Sequence, residues 1–240
     1  MIRTGNPALQ GDLVPSTRSF DPLQEMSIEG TTNKSFILLA LAALSAWWIW
    51  SNPTLMSLFL VGMIGGFIVA LITIFKKNWA PVTAPLYAVL EGFALGGLSV
   101  YMELEYPGIV LQAISLTFGT LFVMLAAYRT GIIKVTEKFR LAVFIATGGI
   151  ALVYITDLIL SLFGIKVSFI YQNGAIGILF SLFVVAIAAL NLILDFDVIE
   201  TLSASGVPKY MEWYGAFSLM VTLVWLYLEI IRLLSKLRNR

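Results

Sequence analysis

Three long stretches of this chain carry no charged side chain: Ser35 to Phe75, Tyr106 to Tyr128 and Val167 to Leu194. About 20 consecutive apolar residues carry a helix across the hydrocarbon core of a bilayer. A backbone in lipid must satisfy its own hydrogen bonds, and a helix does so within one segment. The stretches are therefore read as membrane spans. Composition agrees, since 59% of the residues are hydrophobic and 12% are charged, against about 25% charged in an ordinary soluble domain. The expected class is an all-α integral membrane protein whose first partner is the lipid bilayer.

The first uncharged stretch breaks at Ser51-Asn52-Pro53-Thr54, a turn signal. Helices are expected at about 33–50, 55–75, 81–102, 108–128, 138–163, 174–197 and 211–234, a seven-helix transmembrane bundle. Lys76 and Lys77 end the second helix, and Pro81 and Pro85 mark the first turns of the third. Residues 1–31 read as a flexible tail without the apolar core of a signal peptide. Residues 32–236 form the membrane domain, and 237–240 a basic C-terminal tail.

Lys and Arg collect in cytoplasmic loops. Arg3, Arg18, Lys34, Lys76, Lys77, Arg129, Lys134, Lys138, Arg140 and Lys209 share one side, while the other has only Lys166 before the C-terminus. The N-terminus is therefore expected in the cytoplasm. Arg232, Lys236, Arg238 and Arg240 then fall outside, against the rule, so either the last segment does not fully cross or the earlier loops dominate.

Within this apolar frame lie acids with few basic neighbours: Glu91, Asp157, Asp195, Asp197 and Glu229. An ionisable residue in a membrane span is a functional candidate by default. Glu91 stands near the middle of helix three, with Thr83 and Tyr87 on the same face. Asp195 follows Asn191, Ala188 and Ser181 on one face of helix six. Asp197 lies about 200° around that helix, so the two acids cannot both face inward, and Asp195 is favoured as the buried member. Glu229 has Arg232 at i+3, a local ion pair, but also shares a face with Ser218, Thr222 and Trp225. Glu212 starts the same helix, close in depth to the end of helix six. Asp157 lies between Tyr154 and Ser161, lining a pathway mouth or capping an interface.

Two GxxxG spacings, Gly62 with Gly66 and Gly92 with Gly96, put small residues on one helix face, where backbones approach closely. They predict packing inside the bundle and carry no chemistry of their own. The chain has no histidine and no cysteine, which excludes His-liganded metal sites and the usual near-neutral proton switch. Proton switching then falls to buried carboxylates. Acids without buried bases favour a cation or a proton over an anion. No dedicated calcium loop is present, so the metal question stays open, and no cofactor is implied. A net charge of +1 without a basic run argues against nucleic acid as a partner.

The run LYAVLEGFALGGLSVYMELEYPGIVLQAISLTFGTLFVMLAA, Leu86 to Ala127, resembles the central motif of the Bax inhibitor family. LNLILDFDVIE, Leu190 to Glu200, is similar to that family's aromatic–Asp motif at the end of helix six. LYLEIIRLLSKL, from Leu226, is similar to its final helix, where Asp is the more usual acid. The layout fits the bacterial YccA-like members, and the resemblance spans about residues 33–236. It implies seven helices with the last near the centre, in a bacterial inner (plasma) membrane. It also implies an acid pair on helices six and seven that shares a proton and gates a pH-sensitive calcium leak. Asp195 or Asp197 matches the first acid. Glu229 matches the second by local sequence, and Glu212 by depth.

Two functional classes follow. One is a cation leak channel or proton-linked transporter gated by these carboxylates, because two acids held close cannot both ionise easily. The other is a non-transporting regulator that binds membrane proteins such as a quality-control protease or cell-death machinery. An enzyme is not expected: there is no Cys or His nucleophile pair, and neither a Tyr-Asp nor a Gly-Leu-Gly-Asp arrangement appears.

Overall fold

The computed structural model describes residues 25–55, 57–164 and 172–239. The expected tail to residue 24, with Arg3 and Arg18, lies outside them, as do Lys166 and Arg240. The described chain holds seven α-helices long and apolar enough to cross a membrane. They are α1 (Ile28–Ser51), α2 (Leu58–Phe75), α3 (Ala80–Glu105), α4 (Ile109–Arg129), α5 (Glu137–Leu162), α6 (Ala175–Ala204) and α7 (Met211–Arg238). Phe36, Trp47, Phe67, Leu111 and Phe122 stand more than half exposed on their flanks. A water-soluble surface does not tolerate contiguous apolar area of that kind; hydrocarbon does.

Two boundaries differ most from expectation, and α7 also runs on to Arg238 rather than ending near 234, into the expected C-terminal tail. Helix α1 starts at Ile28, not near 33, because Ser27 caps it: its extended backbone precedes the first turn and its Oγ accepts from the Gly30 N–H. Such a cap satisfies an N–H that has no partner inside the helix. Helix α6 runs past Asp197 to Ala204 because no breaker interrupts the chain before Gly206. Gly206 adopts φ +64°, the left-handed backbone that ends helices at low cost only for glycine. The polypeptide then turns through Val207–Lys209 into α7.

The chain forms two compact units. The first holds α1, α2 and α3 with the end of α6 from Asp197 and the start of α7 to Val221. Here α3 packs through glycine on both α1 and α2. A Cβ on Gly62 would lie 2.5 Å from the Leu90 carbonyl oxygen and 2.6 Å from the Ala94 nitrogen. One on Gly96 would lie 2.7 Å from the Ala46 carbonyl oxygen, and Gly92 meets Ala42 and Ser45. Both GxxxG faces thus bury against neighbouring helices of the same chain.

The second unit holds α4, α5, α6 to Phe196 and α7 from Thr222. Its core joins Ile150 of α5 with Val184 and Ile187 of α6, and Tyr154, Phe180 and Trp225 pack against them. In the most apolar window of α7, 61% of residues are buried, against 22% in α1, α2, α4 and α5. Its role is to line protein rather than lipid.

Candidate functional site

Glu212 opens α7 and has no exposed surface. Its Oε1 accepts from the Ser27 N–H at 2.9 Å and from the Ser27 hydroxyl at 2.8 Å. Lys209 reaches the same oxygen at 3.1 Å, and Lys34 pairs with Oε2. In a capping box the third helical residue supplies a carboxylate to the N-cap N–H. Here that residue is Gly30, and the carboxylate comes from α7 instead. Gly30 makes the arrangement possible, because a Cβ there would fall on the Glu212 carboxylate. Two lysines, one serine and a helix start thus hold this acid: it ties the beginning of α7 to the beginning of α1.

Glu91, also in the first unit, is partly buried. Tyr87, one turn earlier, hydrogen-bonds to it and stacks edge-on against Phe217 at 5.0 Å. Gly66 of α2 faces the carboxylate, and a Cβ there would come within 3.1 Å of Glu91 Oε2. The second glycine of the α2 GxxxG therefore has a task beyond backbone approach: it leaves room for an acid. Asp197 belongs to this unit as well and is partly buried.

In the second unit Glu229 is 2% exposed and meets two α7 and α5 partners. The Tyr154 hydroxyl donates to its carboxylate at 3.0 and 3.1 Å. The Arg232 guanidinium donates at 2.9 and 3.0 Å and also reaches the Tyr154 oxygen at 2.6 Å. One further turn along α7, Lys236 is 4% exposed and donates to the Gly177 carbonyl at 3.0 Å and to Ser181 Oγ at 2.7 Å. Tyr154 and Lys236 were not legible as partners. The signal present in sequence is spacing: Glu229, Arg232 and Lys236 fall at i, i+3 and i+7, one face of a helix.

Asp195 of the same unit has no exposed surface, and Asn191, one turn before it, is 1% exposed. The Asn191 amide donates to Thr147 Oγ1 at 2.8 Å and to the Ile187 carbonyl at 2.9 Å. Ser181, Ala188, Asn191 and Asp195 are all buried, so this face of α6 turns away from lipid along its length. Asp157 of α5 is 6% exposed.

The acids therefore separate by partner. Glu212 and Glu229 are each met by basic side chains; Asp195 is buried on the α6 face that also carries Ser181, Ala188 and Asn191. Among the described residues no three Asp or Glu side chains group closely enough to hold a metal ion.

A family model described as Bax inhibitor 1 like matches residues 6–239. The chain belongs to that family. No curated protein matches it. Seven apolar helices are consistent with that membership. This Bax inhibitor-like chain carries its α7 acids at Glu212 and Glu229, both in ion pairs.

Proposed function

We propose that this Bax inhibitor-like protein is a non-enzymatic, pH-responsive cation leak pathway in which Asp195 is the responding carboxylate. The observation that carries the reading is the complete burial of Asp195 in a membrane-spanning helix, one turn from the buried amide of Asn191. An ionised carboxylate in that setting attracts a cation or a proton, and protonation removes the attraction. Calcium is the favoured ion by family membership. Glu212 and Glu229 serve as fixed internal salt bridges.

The inner membrane of a bacterium with a cytoplasmic N-terminus is the proposed setting. The loop lysines and arginines support that orientation. Among the described C-terminal cations, Arg232 is engaged by Glu229 and Lys236 by Ser181, while the exposed Arg238 reaches Gln112 at 3.1 Å, so the first two weigh little against it.

The test is calcium flux into dye-loaded liposomes across pH 6 to 8. The Asp195→Asn protein keeps the shape and loses the titration, so its flux at the two pH values should become equal while the wild type differs. Unchanged pH dependence in this variant refutes the assignment. Flux absent from the wild type at every pH refutes the leak itself.

A further inference from the structure

The turn between α2 and α3 carries Lys76 and then a short 3-10 turn, Lys77–Trp79. A concavity of about 630 Å³ opens there, lined by Phe75, Lys76, Lys77, Asn78, Trp79 and Tyr210. A second one, about 370 Å³, shares Phe75, Lys76 and Trp79 with it and is completed by Ile68, Leu71 and Ile72. Residues 68, 71, 72 and 75 are spaced i, i+3, i+4 and i+7, so the second concavity is a groove along one stripe of α2. At 1.5 Å per residue it runs about 10 Å down the helix. Its upper end opens into the basic mouth.

The mouth is built of cations and rings. Lys76 Nζ lies 4.5 Å from the Trp79 ring, and Lys77 Nζ lies 5.8 Å from the Tyr214 ring. Among the described residues, no acid lines either concavity. The acid nearest in sequence to Tyr210, Glu212, is already held by Lys34, Lys209 and Ser27. Phe75 is 81% exposed and Ile68 51%, so the groove faces whatever surrounds the helix, which is lipid.

We propose that this place binds a phospholipid with an anionic headgroup. The phosphate sits among Lys76, Lys77, Asn78 and the Tyr210 hydroxyl, and one acyl chain lies along Ile68, Leu71, Ile72 and Phe75. A soluble anion would use the mouth alone and leave the groove idle; a lipid uses both. A zwitterionic headgroup brings its own cation to a mouth whose tryptophan ring already faces an ammonium, so net negative charge is selected. Basic pockets at the ends of membrane helices recognise anionic headgroups by this chemistry.

The full chain in detergent is titrated with phosphatidylglycerol and with phosphatidylcholine of the same acyl chains, and bound lipid is counted by native mass spectrometry. Phosphatidylglycerol should bind more tightly by tenfold or more. A contribution of about fivefold per lysine predicts about a 25-fold loss for Lys76→Gln with Lys77→Gln, and about fivefold for Lys76→Gln alone, an exposed position that folding tolerates. Lys134→Gln with Lys138→Gln, on the α4–α5 loop and the first turn of α5, should change nothing. Equal binding of the two lipids overturns the proposal, as does wild-type affinity in both lysine variants. Competition by soluble glycerol phosphate as effective as by the lipid also overturns it, since the groove would then contribute nothing.

Discussion

Gly30→Ala tests whether the borrowed cap at the start of α1 is real. A methyl group at residue 30 would lie 2.5 Å from Glu212 Oε2 and overlap the rest of the carboxylate. The carboxylate cannot retreat freely, because the Ser27 N–H and hydroxyl hold it at 2.9 and 2.8 Å and two lysines pull on it. Overpacking costs about 1–3 kcal/mol, and losing one charge-assisted hydrogen bond about 1.5–3 kcal/mol. Alanine returns up to about 1 kcal/mol through its helix preference. The net loss is about 1.5–5 kcal/mol. With Glu212→Ala in the background the obstacle is gone, so Gly30→Ala should change sign and stabilise by about 0.5–1 kcal/mol. Reversible unfolding in mixed micelles with added dodecyl sulfate, followed by circular dichroism, measures all four corners of this cycle. Trp213, which stands beside Lys34, offers a local fluorescence signal. The reasoning is refuted if Gly30→Ala has the same effect in both backgrounds, because contact between the two residues requires them to couple.

The glycine faces should differ by what lies above them. Gly62→Ala meets backbone atoms of α3 and should cost about 2 kcal/mol or more, whereas Gly148→Ala, with nothing within 4 Å, should be neutral or slightly stabilising; equal melting shifts would contradict the packing. Tyr154→Phe removes one hydroxyl from the Glu229 and Arg232 cluster and should cost about 1 kcal/mol. In a Glu229→Gln background the same change should cost less, measured as non-additivity of the two midpoints. For Asp195→Asn, the ratio of calcium flux at pH 6 to that at pH 8 should approach one, with fold and expression unchanged by circular dichroism.

Much of the architecture is legible without coordinates, because the bilayer imposes a length and a polarity that composition records directly. The uncharged stretches and the break at Asn52-Pro53 place α1 and α2 within a few residues of their ends. Errors fall where a local signal is overridden. Ser27 starts α1 early because its cap is completed by Glu212, at a separation of 185 residues. The extension of α6 to Ala204 depends on Gly206, whose left-handed backbone no apolar pattern announces.

The acids show the division most sharply. Residue type and position single out Glu91, Asp157, Asp195, Asp197 and Glu229 as ionisable groups in or at the ends of apolar segments, and Glu212 joins them by its depth at the start of α7. Only the packing decides what each one faces. Lys34 meets Glu212 across 178 residues and Tyr154 meets Glu229 across 75, so no periodicity within one helix could pair them. Sequence by itself determined seven spans, because the cost of exposing a backbone to lipid depends on segment composition. The Glu229–Arg232 pair, three residues apart, was legible in the sequence and is present; tertiary structure alone brought Lys34 to Glu212 and Tyr154 to Glu229, because those contacts depend on distances between helices that are remote along the chain.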